Sequence, residues 1–431
     1  MINASIFRVE LFERILLNVH DNRDVEGLRN CSYASQTLRP LSQKLLFREI
    51  RLTLDETQRP STSAEEPMVA RLCLWQAFSD LLDRSPHLCG FVHTLQITRD
   101  VLTWMTEKGE DDNLEKILNR LPNLQKLFIV LGKENASDND FWGLIAPRIQ
   151  NALLECLYSP KIVDIDLSGL PFFPAAHFDG FPATLKRLTM TVLKFELDML
   201  DLLKSNDHAD PKTTIARYRF ALKNLVIRDV AQPGPTLNWL SSDICPLNML
   251  QVQDLTFAPL DPRGQTMTET LKDHECLLKR FLSITKLRYR LCSPNMEANH
   301  WSRSGWNIYY DPYTLPPTDI ARIFPSLRSL ELESSWRYLP EQEAYMHPTS
   351  WINNLLKMSA NMGLESIVLH MSIHIDGEAL EEVDWDKLLS GLDHRLKSII
   401  ELRISGLDLA GEKILLQNEV LKSLPKRIVF L

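Results

Sequence analysis

Two histidines four residues apart, His370 and His374, are the pair in this sequence that comes nearest to a metal-binding spacing. They follow the alternating apolar residues Ile367 and Leu369, which predict a strand, and the glutamate of a metalloprotease helix is missing between them. On an extended strand the two side chains would lie roughly 13 Å apart, at about 3.3 Å per residue, which is too far to share one zinc ion. We therefore expect no metal site here and no cofactor for the chain.

The seven cysteines are the other potentially reactive groups. None forms a Cys-x-x-Cys pair and none stands beside an evident cluster of basic residues, so we expect free thiols that pack as small apolar groups. Free thiols are typical of a reducing compartment, the cytoplasm or the nucleus. The sequence also contains no glycine-rich phosphate loop and no Gly-x-Ser-x-Gly elbow. It therefore predicts no catalytic residue and no enzyme.

Binding chemistry has a clearer candidate in the aromatic-rich segment from residue 300 to residue 313. Tryptophan, tyrosine and arginine bury a large area at a low entropic cost and are enriched in interface hot spots. Two interpretations are equally open: the segment binds a target protein, or its rings fold back over the edge of the neighbouring structure. The candidate target-binding residues are Trp301, Arg303, Trp306, Tyr309, Tyr310 and Tyr313.

The elements that would position such residues form an irregular internal repeat. The pattern apolar-x-x-apolar-x-apolar occurs ten times between Val92–Ile97 and Ile399–Ile404. The mean step between neighbouring copies is about 34 residues, longer than the usual 20–29 of leucine-rich repeats. Helical stretches are predicted between most copies. They are Val69–Asp83, Asn113–Arg120, Asp140–Tyr158, Asp273–Leu282, Pro348–Ser359 and Asp384–Leu392.

Strand-turn-helix units of this length stack on their neighbours into a right-handed horseshoe, with parallel strands on the concave face and helices outside. The predicted fold class is therefore α/β. We expect residues 68–431 to form an irregular leucine-rich-repeat solenoid of about ten to eleven repeats. Residues 53–67, rich in threonine, serine, proline and glutamate, are predicted to form a mobile loop that precedes it.

Residues 1–52 carry a different pattern, which predicts a module of three short helices. Apolar residues recur at helical spacing from Leu11 to Val19, Asp24 can cap a second helix, and a third is expected from about Ser35 to Phe47. A module of about fifty residues buries too little surface to be very stable alone. It should therefore pack against the following domain, a partner, or both.

In order and spacing, the segment from Phe7 to Ile50 resembles the F-box, a three-helix module that docks onto the small Skp-type adaptor of cullin-type ubiquitin ligases. Phe7-Arg8 stands where that family usually has Leu-Pro. Phrases such as Ser85–Leu95 and Arg120–Leu127 are similar to those of fungal F-box proteins with degenerate leucine-rich repeats. The resemblance covers nearly the whole chain, and it rests on pattern and layout.

The resemblance implies a substrate-recognition subunit of an SCF-type E3 ubiquitin ligase, in which the F-box binds the adaptor and through it a cullin scaffold. The solenoid would then hold an unknown target protein. Two alternatives remain open: a leucine-rich-repeat interaction scaffold, or a structural adaptor-bound subunit, neither with a ubiquitin-ligase role. The residues expected to bind the adaptor are Phe7, Val9, Glu10, Leu11, Ile15, Leu16, Leu28 and Cys31.

Charge and hydropathy narrow the range of partners further. The formal net charge is −8, and because residues 1–50 hold seven basic and six acidic residues, the rest of the chain is net acidic. Such a chain is a poor general binder of phosphate, so we expect no nucleic acid partner. No stretch approaches the roughly 18 consecutive apolar residues of a spanning helix, and the first residues lack the layout of a signal peptide. We expect no membrane association.

Overall fold

The computed structural model of this α/β protein consists mainly of short strands. One strand lies at each successive copy of the apolar pattern. The structure describes residues 9–22, 24–52, 77–98, 112–130, 141–168, 170, 173–191, 222–228, 239–240, 242, 245–258, 280–291, 324–339, 344–346, 364–374, 399–405 and 427–430. The chain divides into two compact units, residues 1–189 and residues 190–431.

The first unit begins with helices α1 (Val9–Asp21), α2 (Val25–Ala34) and α3 (Leu38–Leu46). Asp24 caps α2 as predicted, because its carboxylate accepts a hydrogen bond of 2.7 Å from the backbone N–H of Gly27. The helix ends where Ser35 turns to an extended backbone conformation. Three helices therefore lie where the apolar spacing predicts them.

The strands of the first unit lie side by side in chain order. They are β1 (Glu49–Leu52), β2 (Thr94–Thr98), β3 (Lys126–Val130), β4 (Asp164–Ser168) and β5 (Arg187–Thr191), whose first three residues belong to this unit. The pairs from β1 to β4 are parallel, and their register places Leu52, Ile97, Ile129 and Leu167 opposite one another. The predicted helical module belongs to this unit because β1 follows α3 directly and pairs with β2. The predicted loop 53–67 lies outside the described residues.

The helices between these strands differ from the prediction at one point. Residues 77–84 are helical, and α4 (Asp112–Leu118) lies where a helix is predicted. The single helix predicted over Asp140–Tyr158 is instead two, α5 (Phe141–Leu144) and α6 (Pro147–Leu157). The break has a local cause: proline disfavours the helical conformation of the residue before it, and Ala146 has a ψ of 134°.

The second unit repeats the parallel arrangement. Its strands are β6 (Asn224–Arg228), β7 (Asp254–Ala258), β8 (Lys286–Leu291), β9 (Ser329–Leu339), β10 (Ala344–Met346), β11 (Ser366–His374), β12 (Ile399–Ser405) and β13 (Arg427–Phe430). The order is β6-β7-β8-β9-β11-β12-β13, and β10 pairs with β9 in the antiparallel sense. The predicted helices beyond residue 270 lie almost entirely outside the described residues.

Alternation of burial along each strand locates the core. Leu95 and Ile97 of β2 are fully buried and Gln96 between them is partly exposed, and the same alternation holds for Leu225 and Ile227 of β6. Side chains of a strand point alternately to its two faces, so one face packs into the core in the strands whose side chains are described. The other face, here called the outer face of its unit, remains open to solvent and to partners.

The turns before the strands share one hydrogen-bonding device. The carbonyl oxygen of Arg48 accepts from the backbone N–H groups of both His93 and Thr94, at 2.9 and 3.0 Å. In the second unit the carbonyl oxygen of Lys223 accepts in the same way from Gln253 and Asp254. Buried backbone N–H groups need hydrogen-bond acceptors. In these turns one carbonyl oxygen accepts from two N–H groups of the next repeat.

An aromatic cluster fills the space beside α6 in the first unit. The ring centroids of Trp142 and Phe173 are 4.9 Å apart, and His177 lies next to both rings. The hydroxyl of Tyr158 lies 3.1 Å from Nδ1 of His177. Burial lowers the pKa of His177 and raises that of Tyr158, so both groups are neutral at physiological pH. The cluster ties α6 to the turn before β5.

Gly180→Ala should destabilise the first unit. A Cβ at Gly180 would overlap the ring of Tyr158, whereas a Cβ at Gly90 would meet nothing nearer than Asn123 Nδ2, at 3.8 Å. Overpacking of this kind costs about 1–3 kcal/mol. Thermal unfolding of the purified variants measures the effect, with Gly90→Ala as the matched control. Equal unfolding temperatures for the two variants would contradict the described packing.

Candidate interaction surfaces

Helix α1 exposes two large apolar side chains on one face. Leu11 is 44% exposed and Ile15 is 50% exposed, although both belong to a helix whose Leu16 is only 1% exposed. Residues four apart lie on the same side of a helix, so Leu11 and Ile15 form one continuous apolar strip. A strip of this kind is suited to receive a partner helix.

The expected adaptor-binding residues separate into two groups once their burial is known. Leu16 and Leu28 are 1% and 2% exposed, because they face the interior of the three-helix module. In the free chain these two residues pack within the module, and their expected contact with the adaptor stays a prediction. Cys31 is half-buried on α2. Val9 and Glu10 begin α1, and Phe7 lies outside the described residues.

A groove between α2 and α3 adds residues that the sequence did not single out. Val25 is 52% exposed and Tyr33 is 80% exposed, both on α2. Their spacing of eight residues, about two helical turns, is a signal that could have revealed them. The groove is lined by Val25, Arg29, Ser32, Tyr33, Arg39, Gln43, Leu46 and Phe47.

The outer face of the first unit places an acid between two bases. Asp164 of β4 is 6% exposed, and its Oδ2 lies 3.9 Å from Nη1 of Arg187, on β5. Lys126 of β3 stands opposite Asp164 in the parallel register. The other carboxylate oxygen, Oδ1, is buried and has no hydrogen-bond partner among the described residues.

Burial raises the pKa of Asp164, and the charges of Arg187 and Lys126 oppose the rise. The folded chain therefore holds this proton at a pH where the unfolded chain, with a pKa of about 3.9, has released it. The stability that this proton contributes is complete below that value, and it is lost as the pH rises through the raised pKa of the folded state.

Asp164→Asn should remove this pH-dependent loss. Urea unfolding of the wild type and the variant, repeated from acidic to neutral pH, measures the difference in their free energies of unfolding. We expect the difference to change in favour of the variant as the pH rises, because asparagine carries no charge to bury. A difference that stays constant with pH would contradict this account of Asp164.

The outer face of the second unit carries a larger network of charges. Glu331 of β9 accepts a hydrogen bond of 2.7 Å from Nη2 of Arg288, on β8, and lies 3.6 Å from Nη1 of Arg403, on β12. Nε of Arg403 also donates to Glu401, at 2.8 Å, and this bond raises the pKa of Arg403. Arg403 reaches Glu331 across the intervening strand β11, over Val368.

His370 and His374 lie on β11, as the apolar alternation of Ile367 and Leu369 predicts. His370 stands in register with Glu333 and Arg403, and His374 with Arg337. Within the described part of the chain, no group of three His, Cys, Asp or Glu side chains is placed to hold a metal ion. Both histidines therefore belong to the parallel ladder of the second unit.

Among the described residues, Cys31, Cys89, Cys156 and Cys245 form no disulfide. Burial and the nearby charge of Glu155 raise the pKa of Cys156 to about 12. Its Sγ donates to the carbonyl oxygen of Leu118, at 3.7 Å. A thiol in this state is protonated and a poor nucleophile, so Cys156 serves the packing between α4 and α6.

The aromatic-rich segment proposed to bind a target, with Trp301, Arg303, Trp306, Tyr309, Tyr310 and Tyr313, lies outside the described residues. Its role stays a prediction. In the described part of the chain, no helix is both long enough and apolar enough to cross a membrane.

The arrangement defines an α/β protein of consecutive parallel strands with a helical module at one end of the chain. No family model matches the sequence, and no curated protein matches it.

Proposed function

We propose that the chain is a substrate-recognition subunit of an SCF-type E3 ubiquitin ligase, with an F-box-like module that docks a Skp-type adaptor and a leucine-rich-repeat region that binds the target. The observation that carries the proposal is the apolar strip of Leu11 and Ile15 on α1, about half exposed in both residues. Solvent-exposed leucine and isoleucine at this spacing leave the strip available to a partner.

The repeat region supports the second half of the proposal. Parallel strands that follow one another at irregular steps of about 34 residues are compatible with degenerate leucine-rich repeats. Their outer faces carry polar and charged side chains, including Asp164 in the first unit and Glu331 in the second. Stacked repeats of this kind build extended binding surfaces.

The proposed mechanism is proximity. The receptor would hold a target lysine near a conjugating enzyme bound elsewhere on the cullin scaffold, and would supply no reacting group itself. Confining the two reactants in one complex replaces a bimolecular encounter by an effectively unimolecular step. The cytoplasm and the nucleus are the compartments in which this assembly is proposed to act.

Co-purification mass spectrometry of the tagged full-length chain distinguishes the proposal from its two alternatives. We expect a Skp-type adaptor and a cullin in the same complex. The adaptor without a cullin would favour the structural subunit instead. A stable complex that contains neither would favour the interaction scaffold, and would overturn the proposed role in ubiquitin transfer.

A further inference from the structure

In the network of Glu331, Glu401, Arg288 and Arg403 on the outer face of the second unit, the acids are more deeply buried than the bases. The side chain of Glu331 is 9% exposed, whereas the side chains of Arg288 and Arg403, which it pairs with, are 32% and 33% exposed. Glu401, the other acid of the network, is 19% exposed. The acids therefore lie deeper than the bases, and an approaching partner meets guanidinium groups before carboxylates.

The arginines of this network have more hydrogen-bond donors than its acids occupy. One oxygen of Glu331 faces each arginine, and Glu401 accepts from Arg403 Nε. A guanidinium has five N–H donors, and among the described residues Arg288 is hydrogen-bonded only through Nη2, while its Nε is buried without a partner. The guanidinium N–H groups that remain can donate hydrogen bonds. A matching partner would carry an anionic acceptor.

We propose that this face binds an acidic segment of the target protein, with carboxylates received by Arg288 and Arg403. The inference rests on the proposed function, because it takes the repeat region as the surface that holds the target. Arginine suits this task since its planar group presents paired N–H donors that match a carboxylate. Glu331 lies against both guanidinium groups in the free chain, so a carboxylate of the partner competes with it for them.

The spacing of charges favours a polypeptide over a nucleic acid. Asp254, Glu331, Glu333 and Glu401 share this face with the basic residues. A nucleic acid strand carries a charge on every phosphate and would meet these acids as well as the arginines. A polypeptide can place carboxylates opposite the arginines and neutral residues elsewhere, so repulsion is avoided.

Fluorescence anisotropy with the full-length chain tests the proposal. The labelled probes, at low ionic strength, are a short peptide of glutamates separated by neutral residues, here called poly-glutamate, the same peptide with lysines, here called poly-lysine, and a single-stranded DNA of similar length. The chain has a net charge of −8, so it repels poly-glutamate in general. Any binding of this peptide must therefore come from a local site. We expect poly-glutamate to bind in spite of this repulsion, whereas binding of poly-lysine reports only the general attraction of the acidic chain.

Three variants assign the binding to the network. Arg403→Gln should weaken poly-glutamate binding about tenfold or more, because a charge-assisted hydrogen bond is lost. Glu331→Gln keeps the shape of the side chain but removes the buried negative charge, so it should strengthen binding severalfold. Arg328→Gln is the matched control, since Arg328 is 64% exposed, pairs with Glu365 and stands just before β9. It should leave the affinity unchanged.

Opposite shifts for Arg403→Gln and Glu331→Gln cannot both arise from misfolding. Absence of poly-glutamate binding, or equal effects of Arg403→Gln and Arg328→Gln on that binding, would overturn the proposal. DNA that binds more tightly than poly-glutamate, with the same dependence on the variants, would overturn the choice of a polypeptide. Leu11→Asp/Ile15→Asp should retain peptide binding, so failure of adaptor docking and failure of this inference are separate results.

Discussion

Leu11→Asp/Ile15→Asp is expected to abolish co-purification of the Skp-type adaptor while the chain remains folded. The two side chains are 44% and 50% exposed in the free chain, so they contribute little to its own core. In the proposed complex both would be buried against the adaptor. A carboxylate placed in such an apolar interface loses its hydration without gaining a partner.

The expected size of this effect follows from what buried anchors contribute to interfaces. An anchor residue typically costs ~2 kcal/mol or more on truncation. Two such losses amount to about 4 kcal/mol, which is roughly a thousandfold in Kd. Helix α1 should tolerate both substitutions. Aspartate is favoured near a helix start, and in a helix interior it costs only about 0.7 kcal/mol or less in helix propensity.

Leu144→Asp/Leu250→Asp is the matched control. Leu144 is 56% exposed and Leu250 is 47% exposed, and both lie outside the three-helix module. This variant introduces the same charges at comparable exposure, so it should retain the adaptor. Quantitative pull-down with purified adaptor measures both. If the α1 variant still binds the adaptor as the control does, the docking strip is not where we propose it.

Leu16→Ala is expected to destabilise the three-helix module itself. Leu16 is 1% exposed, and removing a fully buried leucine costs about 2–5 kcal/mol in lost transfer free energy and residual cavity. The module is small, so a loss of this size is a large part of its stability. Limited proteolysis, read as the rate of cleavage within residues 9–46, and thermal unfolding measure the effect.

The neighbouring residue provides the control for that prediction. Leu17 is 39% exposed, and Leu17→Ala should change the free energy of unfolding by no more than about 0.5 kcal/mol. Adaptor loss in Leu16→Ala should accompany faster proteolysis, whereas adaptor loss in Leu11→Asp/Ile15→Asp should not. Equal protease resistance of Leu16→Ala and Leu17→Ala would show that Leu16 does not support the module.

The strands and the first helices could be predicted from the sequence because their signals are local. An apolar pair such as Leu95 and Ile97 with one residue between them places both side chains on one face of a strand, and the structure buries both. Asp24 is a second local signal, since a cap needs only its own helix start. Nothing distant has to be known in either case.

Contacts between repeats could not be predicted in the same way. Asn123 donates from Nδ2 to the carbonyl oxygen of Gly90, at 2.8 Å, and accepts at Oδ1 from Lys161, at 3.0 Å. It thus links its own turn to the turns before and after it, over more than thirty residues of sequence in each direction. Only the stacking of strands brings these groups together.

The candidate docking site shows the same limit. Leu11, Ile15 and Leu16 share the apolar character and the helical spacing from which a partner surface is predicted, but only Leu16 is buried in the free chain. Which side of an amphipathic helix faces its own module depends on how three helices pack, and periodicity alone does not contain that information.

The most direct test of the central claim is reconstitution of the complex from purified components. Sedimentation velocity of the full-length chain with a Skp-type adaptor and the adaptor-binding part of a cullin should show one species that contains all three. We predict that species for the wild type and its absence for Leu11→Asp/Ile15→Asp. A wild-type chain that sediments separately from the adaptor would contradict the claim that this protein is a ubiquitin-ligase receptor.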